Sequence, residues 1–235
     1  MKELEDVYDL PGMLTRNEIE YLYRLAKFNS GKGVIVEIGS RKGLSTVALA
    51  RGSAAVDGEK VFAIDPHEPI PEEGYGDNSR DEFLANLRRT QVEDFVVPLV
   101  MTSEKAAIGW NRRVRLLWID GDHRYDAVHL DYSLWEPHLV EGGILAMHDT
   151  IRKQGPKRVL WENIFRSNRF AQIAIVDNIT VVRKVRSKPL LGKLRDGVVL
   201  ALRGIYIAAR KSRVPYSKPF GRWLHRTMTA KEYGS

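Results

Sequence analysis

Five clusters of polar residues each follow a short apolar run: Glu37-Ile-Gly39-Ser40-Arg-Lys-Gly43-Leu-Ser45, Asp65-Pro-His67, Met101-Thr-Ser103, Asp120-Gly-Asp122-His123 and His148-Asp149. In an open parallel α/β sheet, ligands bind outside the carboxyl ends of the strands, so clusters at strand ends converge on one edge. Gly39 and Gly43 let a backbone turn come close to a ligand, because glycine tolerates positive φ and has no Cβ. The dinucleotide fingerprint G-x-G-x-x-G is absent, which counts against a nicotinamide enzyme. Asp65 ends the next apolar run, where a carboxylate accepts from both hydroxyls of a ribose. Together the glycine turn and Asp65 point to a nucleoside-containing ligand. His123 stands three residues beyond Asp120. An imidazole, with an ordinary pKa near about 6.5, suits general-base work at neutral pH. The competing reading of His123 is a cap on the helix that follows or a packing partner of Tyr125. His67 reads as a loop residue.

The spacing of apolar residues supplies the elements that position these clusters. Thr15-Arg-Asn-Glu18 has capping-box spacing, and Ile19, Leu22, Tyr23 and Leu25 recur behind it at helical intervals, predicting a helix over 16–28. The run 33–38 between glycines reads as a strand buried on both faces. Further helices are expected at 44–52, 79–91, 104–108, 125–138 and 156–167. Strands are expected at 60–65, 95–101, 114–119 and 143–148, the last after a turn at Glu141-Gly142-Gly143. Two β-rich runs, 169–176 and 179–185, close the sheet as an antiparallel hairpin through Asp177-Asn178. The βαβα alternation predicts a doubly wound parallel sheet with helices on both faces. The expected division is an N-terminal helical cover (1–30), a catalytic domain (31–186) and a basic tail (187–235).

The motifs resemble a known family. Glu37-Ile-Gly39-Ser-Arg-Lys-Gly43 is similar to the first motif of class I S-adenosylmethionine-dependent methyltransferases, and Ala63-Ile64-Asp65 to their ribose-binding acidic position. The stretch Leu117-Trp-Ile-Asp120-Gly-Asp-His123-Arg-Tyr125-Asp126, continued by Gly142-Gly143-Ile-Leu-Ala-Met-His148-Asp149, resembles the metal-dependent O-methyltransferases. The nearest group contains macrolide-sugar O-methyltransferases and cephalosporin-hydroxylase-like relatives, with catechol and caffeoyl-CoA methyltransferases further off. The resemblance covers roughly residues 30–150 and implies a Rossmann-like, mostly parallel seven-stranded sheet. It implies S-adenosyl-L-methionine held by Glu37, Gly39, Ser40, Gly43, Ser45, Asp65, Ser103 and Asp120. Within that set Glu37 would face the methionyl ammonium, unless it caps local amides. Ser103 would face adenine, unless it is a helix N-cap. A magnesium or manganese ion is implied at Asp120 and Asp149, with His148 either joining the ligands or supporting them, since oxygen donors suit these cations. His123 is implied as the base that takes the acceptor's hydroxyl proton. The alternatives are a catechol-type enzyme and a non-catalytic binding protein of the same fold. A non-heme iron hydroxylase is disfavoured, because His123-Arg-Tyr-Asp126 departs from the His-x-Asp pattern.

Composition narrows the setting. The chain of 235 residues is long enough for one α/β domain with added terminal elements. It has no cysteine, which excludes disulfides and a thiol nucleophile and fits a reducing compartment. The N-terminus has no basic flank followed by an apolar run, and no long apolar stretch follows, so a cytoplasmic protein is expected, with peripheral contact at the inner face of the membrane as an option. The net charge of +7 is unevenly spread: residues 1–182 carry 23 Lys and Arg against 28 Asp and Glu, and residues 183–235 carry 14 against 2. Residues 190–210 place Leu191, Leu194, Val198, Leu202, Ile205 and Tyr206 at helical intervals among basic residues. Such a helix either docks on the body or a second subunit, giving a homo-oligomer, or lies in an anionic membrane interface. Nucleic acid is disfavoured by the tail's apolar content. The acceptor is expected to be a small molecule or a glycan, with the polar loop 66–80, including Tyr75, as a lid.

Overall fold

Val34–Ile38 forms β1, buried along its whole length, and the elements that follow it alternate as the apolar runs predict. In this computed structural model, which describes residues 1–28, 32–69 and 78–211, the order is α1 (Arg16–Phe28), β1, α2 (Leu44–Ala54), β2 (Val61–Ile64), α3 (Arg80–Arg89), β3 (Val96–Leu99), α4 (Ser103–Ala107) and β4 (Val114–Ile119). It continues with α5 (Tyr125–Trp135), β5 (Leu139–Met147), α6 (Gln154–Val159), β6 (Phe170–Val176), β7 (Ile179–Lys184) and α7 (Leu190–Lys211). Most of the lid loop, 70–77 with Tyr75, and the chain beyond 211 lie outside the described residues.

The seven strands lie in the order β3-β2-β1-β4-β5-β7-β6. The first five are parallel, while β7 pairs antiparallel with β5 and with β6. Strand order reverses between β1 and β4, and this opens the crevice where a ligand belongs. One face of the sheet packs on α1, α2 and the N-terminal residues Leu4, Val7 and Leu10; the other carries Val128 and Trp135 of α5, Val159 of α6 and Val199 of α7. β4 also buries Arg115, whose guanidinium donates to the Ala26 carbonyl (2.9 Å) and to Ser53 Oγ (3.2 Å), tying the ends of α1 and α2 together.

Two elements differ from expectation for identifiable reasons. β5 begins at Leu139 rather than 143, because Glu141-Gly142-Gly143 is a bulge within the strand and not a turn before it. The register with β4 slips between Val114↔Leu139 and Leu116↔Ile144, and Gly142 takes φ 83° to allow it. The expected helix 156–167 begins earlier, at Gln154, and widens into a π turn over Leu160–Phe165.

Candidate active site

The ends of β1, β2 and β4 are laced together around Gly39. Its amide donates to the Ile64 carbonyl (2.9 Å), and the Asp120 amide donates to Ile38 (2.8 Å). Gly39 has φ 89°, and a Cβ there would sit 2.3 Å from the Asp120 carbonyl oxygen, so only glycine lets the two strand ends approach this closely. Outside them lies a cavity of about 650 Å³, within the range of small-molecule sites. Ser40 is buried on its wall, and its Oγ has no hydrogen-bond partner, which leaves a polar atom for a ligand to satisfy.

Asp65 is fixed by the turn it faces. Its Oδ2 accepts from the Arg41 amide (2.8 Å) and its Oδ1 from the His67 amide (2.7 Å), with Arg41 and His67 both held in the left-handed region. Each carboxylate oxygen keeps a second lone pair, and Asp65 lines the cavity. His67 is buried with Nδ1 2.9 Å from Ser79 Oγ, and burial lowers its pKa, consistent with a loop residue that braces Asp65.

Glu37 and Gly43 are not on the cavity wall. Glu37 is fully buried behind it, and its two oxygens accept from Ser45 and Thr46 of α2, each at 2.5 Å. Burial raises its pKa to about 8 despite those two bonds. The native state therefore holds its proton more tightly than the unfolded chain does. Its contribution is neutral at low pH and becomes a growing cost between the ordinary glutamate range and about 8. Glu37→Gln is expected to remove this slope: wild-type melting temperature should fall across that window relative to the variant in thermal unfolding at matched buffers. Parallel pH profiles would contradict the assignment.

Ser103 is the first residue of α4, and Thr102 is its cap, with the Thr102 side chain accepting from the Lys105 amide. The N-cap alternative for Ser103 is thereby corrected: a cap must precede the helix, and Ser103 stands inside it. Its hydroxyl instead donates to Asp131 of α5. Both residues line the cavity, and burial raises the Asp131 pKa to about 6. Sequence reasoning missed Asp131, although it shares the buried face of α5 with Val128 and Trp135.

Beyond Asp120 four further ionisable groups converge. His123 Nε2 lies 3.3 Å from Asp149 Oδ2, and His148 Nδ1 lies 3.1 Å from Asp120 Oδ1. His148 Nε2 is 3.4 Å from Oε1 of Glu18, a residue that sequence reasoning saw only as a cap. Glu18 does cap α1: its Oε2 accepts from the Thr15 amide (2.8 Å), and Thr15 Oγ1 accepts from the Glu18 amide (3.2 Å). Its other oxygen accepts from the Asn178 amide (2.9 Å) and faces the imidazole. The opening helix thus supplies a fully buried carboxylate to the site's rear wall. Burial pushes the Glu18 carboxyl up, but His148 and the two amides outweigh it and hold the pKa below the usual value. For His148 burial works downward, yet the Asp120 charge and the contact with Glu18 raise the pKa to about 10. Asp149 itself takes φ 50°, a conformation rare outside glycine that turns its carboxylate toward His123.

A divalent cation at Asp120, His148 and Asp149 meets an obstacle in this geometry. Among the described residues no group of three or more His, Asp or Glu side chains is arranged to hold a metal ion. His148 Nδ1 stands 3.1 and 4.0 Å from the two carboxylates, where a ligand would direct a lone pair. The Asp120 charge and the contact with Glu18 both favour the protonated imidazole in this arrangement. As placed, Asp120, His148 and Asp149 are joined by ion pairs to one another.

Residues 36–150 match the family model described as a methyltransferase domain. The O-methyltransferase NovP superposes with a TM-score of 0.64 at 17% identity, over 79% of this chain and 89% of that one. An O-methyltransferase from Bacillus cereus, solved in complex with SAH, gives 0.58 at 18% identity over 78% and 91%. The O-methyltransferase TomG from Streptomyces achromogenes, in complex with SAM, gives 0.57 at 14% identity over 78% and 88%. The matched segment runs from within β1 to just past the end of β5, and the glycine turn, Asp65, His123 and Asp149 fall inside it. Residues 36–150 are therefore similar to a methyltransferase domain, and the chain shares the fold of these O-methyltransferases.

Proposed function

We propose that this protein transfers a methyl group from S-adenosyl-L-methionine to a hydroxyl of a sugar, a glycan or a glycosylated natural product. The observation that carries the reading is the His123–Asp149 pair on the rim of a cavity whose inner wall presents Asp65 and the unpaired Ser40 hydroxyl. These residues fit the cofactor: Asp65 would accept the ribose diol, Gly39 and Ser40 of the glycine turn would receive the methionyl end, and Ser103 with Asp131 would border the adenine. Bound there, the cofactor supplies an electrophilic methyl on a sulfonium.

The chain's own task is to sharpen and aim the acceptor oxygen. Nε2 of His123 lies 3.3 Å from Asp149 Oδ2, which holds the imidazole at the cavity as the group that takes the hydroxyl proton. Asp149 then stabilises the imidazolium that forms. Asp120, at the end of β4, and the buried His148–Glu18 pair behind it keep the rear wall fixed. Charged residues on the rim, among them Asp122, Glu104 and Arg152, suit an acceptor rich in hydroxyls.

A second reading retains magnesium or manganese, because Asp120 and Asp149 both lie within 4.0 Å of one nitrogen of His148. A chelator separates the two. With methyl-labelled cofactor and a panel of sugars, glycosides and catechols, label is expected on sugar hydroxyls, with turnover surviving excess chelator. Loss restored by magnesium or manganese would install the cation, and label on catechols alone would replace the sugar assignment.

A further inference from the structure

Helix α7 meets the body with one face and leaves an apolar stripe on another. On the inner face Asp196, Val199 and Arg203 are buried. Asp196 Oδ1 accepts from the Ile173 amide (3.0 Å), at the register shift in β6, and its Oδ2 pairs with Lys188 Nζ (3.1 Å). Arg203 donates to the carbonyl of Thr150 (2.6 Å), one residue past Asp149. The helix is thus pinned to the sheet edge and to the catalytic loop. On the outer side Leu191, Leu194, Val198 and Ile205 are between 51% and 80% exposed, and their spacing puts them on one stripe. Scattered exposed leucines are ordinary; a continuous stripe on a helix already docked by its other face marks an interaction surface.

Charge decides what covers it. Residues 183–235 carry 14 Lys and Arg against 2 Asp and Glu, and with Lys184, Lys188 and Arg203 engaged by the body the remaining basic residues are still in large excess. A second copy seated on the same stripe would bring two such segments together and repel. An anionic bilayer offers an apolar boundary for the stripe and phosphates for the flanking cations. No helix among the described residues is long and apolar enough to cross a membrane, so α7 would lie along the surface. We propose that α7 is a peripheral membrane anchor for anionic phospholipid, with Leu191, Leu194, Val198 and Ile205 at the acyl boundary and the basic residues on the headgroups. This stands whatever the acceptor.

The test is co-sedimentation of the full chain with vesicles of pure phosphatidylglycerol or pure phosphatidylcholine, beside a Leu194→Asp/Val198→Asp variant. Both substituted side chains are exposed, and adenosylhomocysteine binding reports that the variant is folded. The full chain is expected to sediment with phosphatidylglycerol at low salt and remain in solution with phosphatidylcholine. The variant should partition about tenfold more weakly or less. A full chain that stays in solution with phosphatidylglycerol overturns the proposal, as does a folded variant that binds like the parent. A dimer of the full chain that the variant dissolves, seen by analytical ultracentrifugation, would reassign the stripe to self-association.

Discussion

His123→Ala is expected to lower kcat for methyl transfer by about 10²- to 10⁴-fold, with adenosylhomocysteine affinity unchanged. The imidazole is three residues past Asp120 in sequence, yet its partner is Asp149 at the end of the neighbouring strand, 3.3 Å from Nε2. A neutral alcohol is a poor nucleophile, and removing the group that takes its proton leaves positioning alone to drive the reaction. Asp149→Asn should reproduce much of the loss, since a neutral amide no longer stabilises the imidazolium that forms. Steady-state kinetics with the best acceptor from the panel checks both. A His123→Ala enzyme of normal rate would remove the base assignment.

Asp65→Ala is expected to weaken adenosylhomocysteine binding by roughly ten- to a hundredfold, the cost of leaving two ribose hydroxyls without their acceptor. Two effects act together. The carboxylate offers lone pairs to the cavity, and it also holds the amides of Arg41 and His67, whose left-handed conformations shape the turn against the ligand. Isothermal titration of a variant whose thermal unfolding remains cooperative reads the effect. Unchanged affinity would assign the ribose elsewhere.

Much of this arrangement was legible before any coordinates. Buried parallel strands read as short apolar runs, so β1, β2 and β4 and the polar residues closing them could be placed to within a residue or two, and the capping box marked the first turn of α1. What escaped is what depends on distant packing. Glu18 satisfies its local signature completely with one carboxylate oxygen, and nothing local announces that the other faces His148. Asp131 lies on a buried helical stripe, but periodicity alone does not show that Ser103 waits opposite. The Gly142-Gly143 pair signals a bend equally well for a turn and for a bulge, and only the register with β4 chooses. For α7 the pattern offered docking or a free apolar face as alternatives, whereas the helix has room on its circumference for both.

The central claim is that the cavity beside Gly39 and Asp65 holds S-adenosylmethionine and its demethylated product. Isothermal titration of the full chain with S-adenosylhomocysteine tests it most directly, because it needs neither the acceptor nor a metal. Saturable binding of one molecule per chain, weakened by Asp65→Ala but not by His123→Ala, is the predicted result. A folded wild-type protein that gives no binding, or binding indifferent to Asp65, would contradict the account.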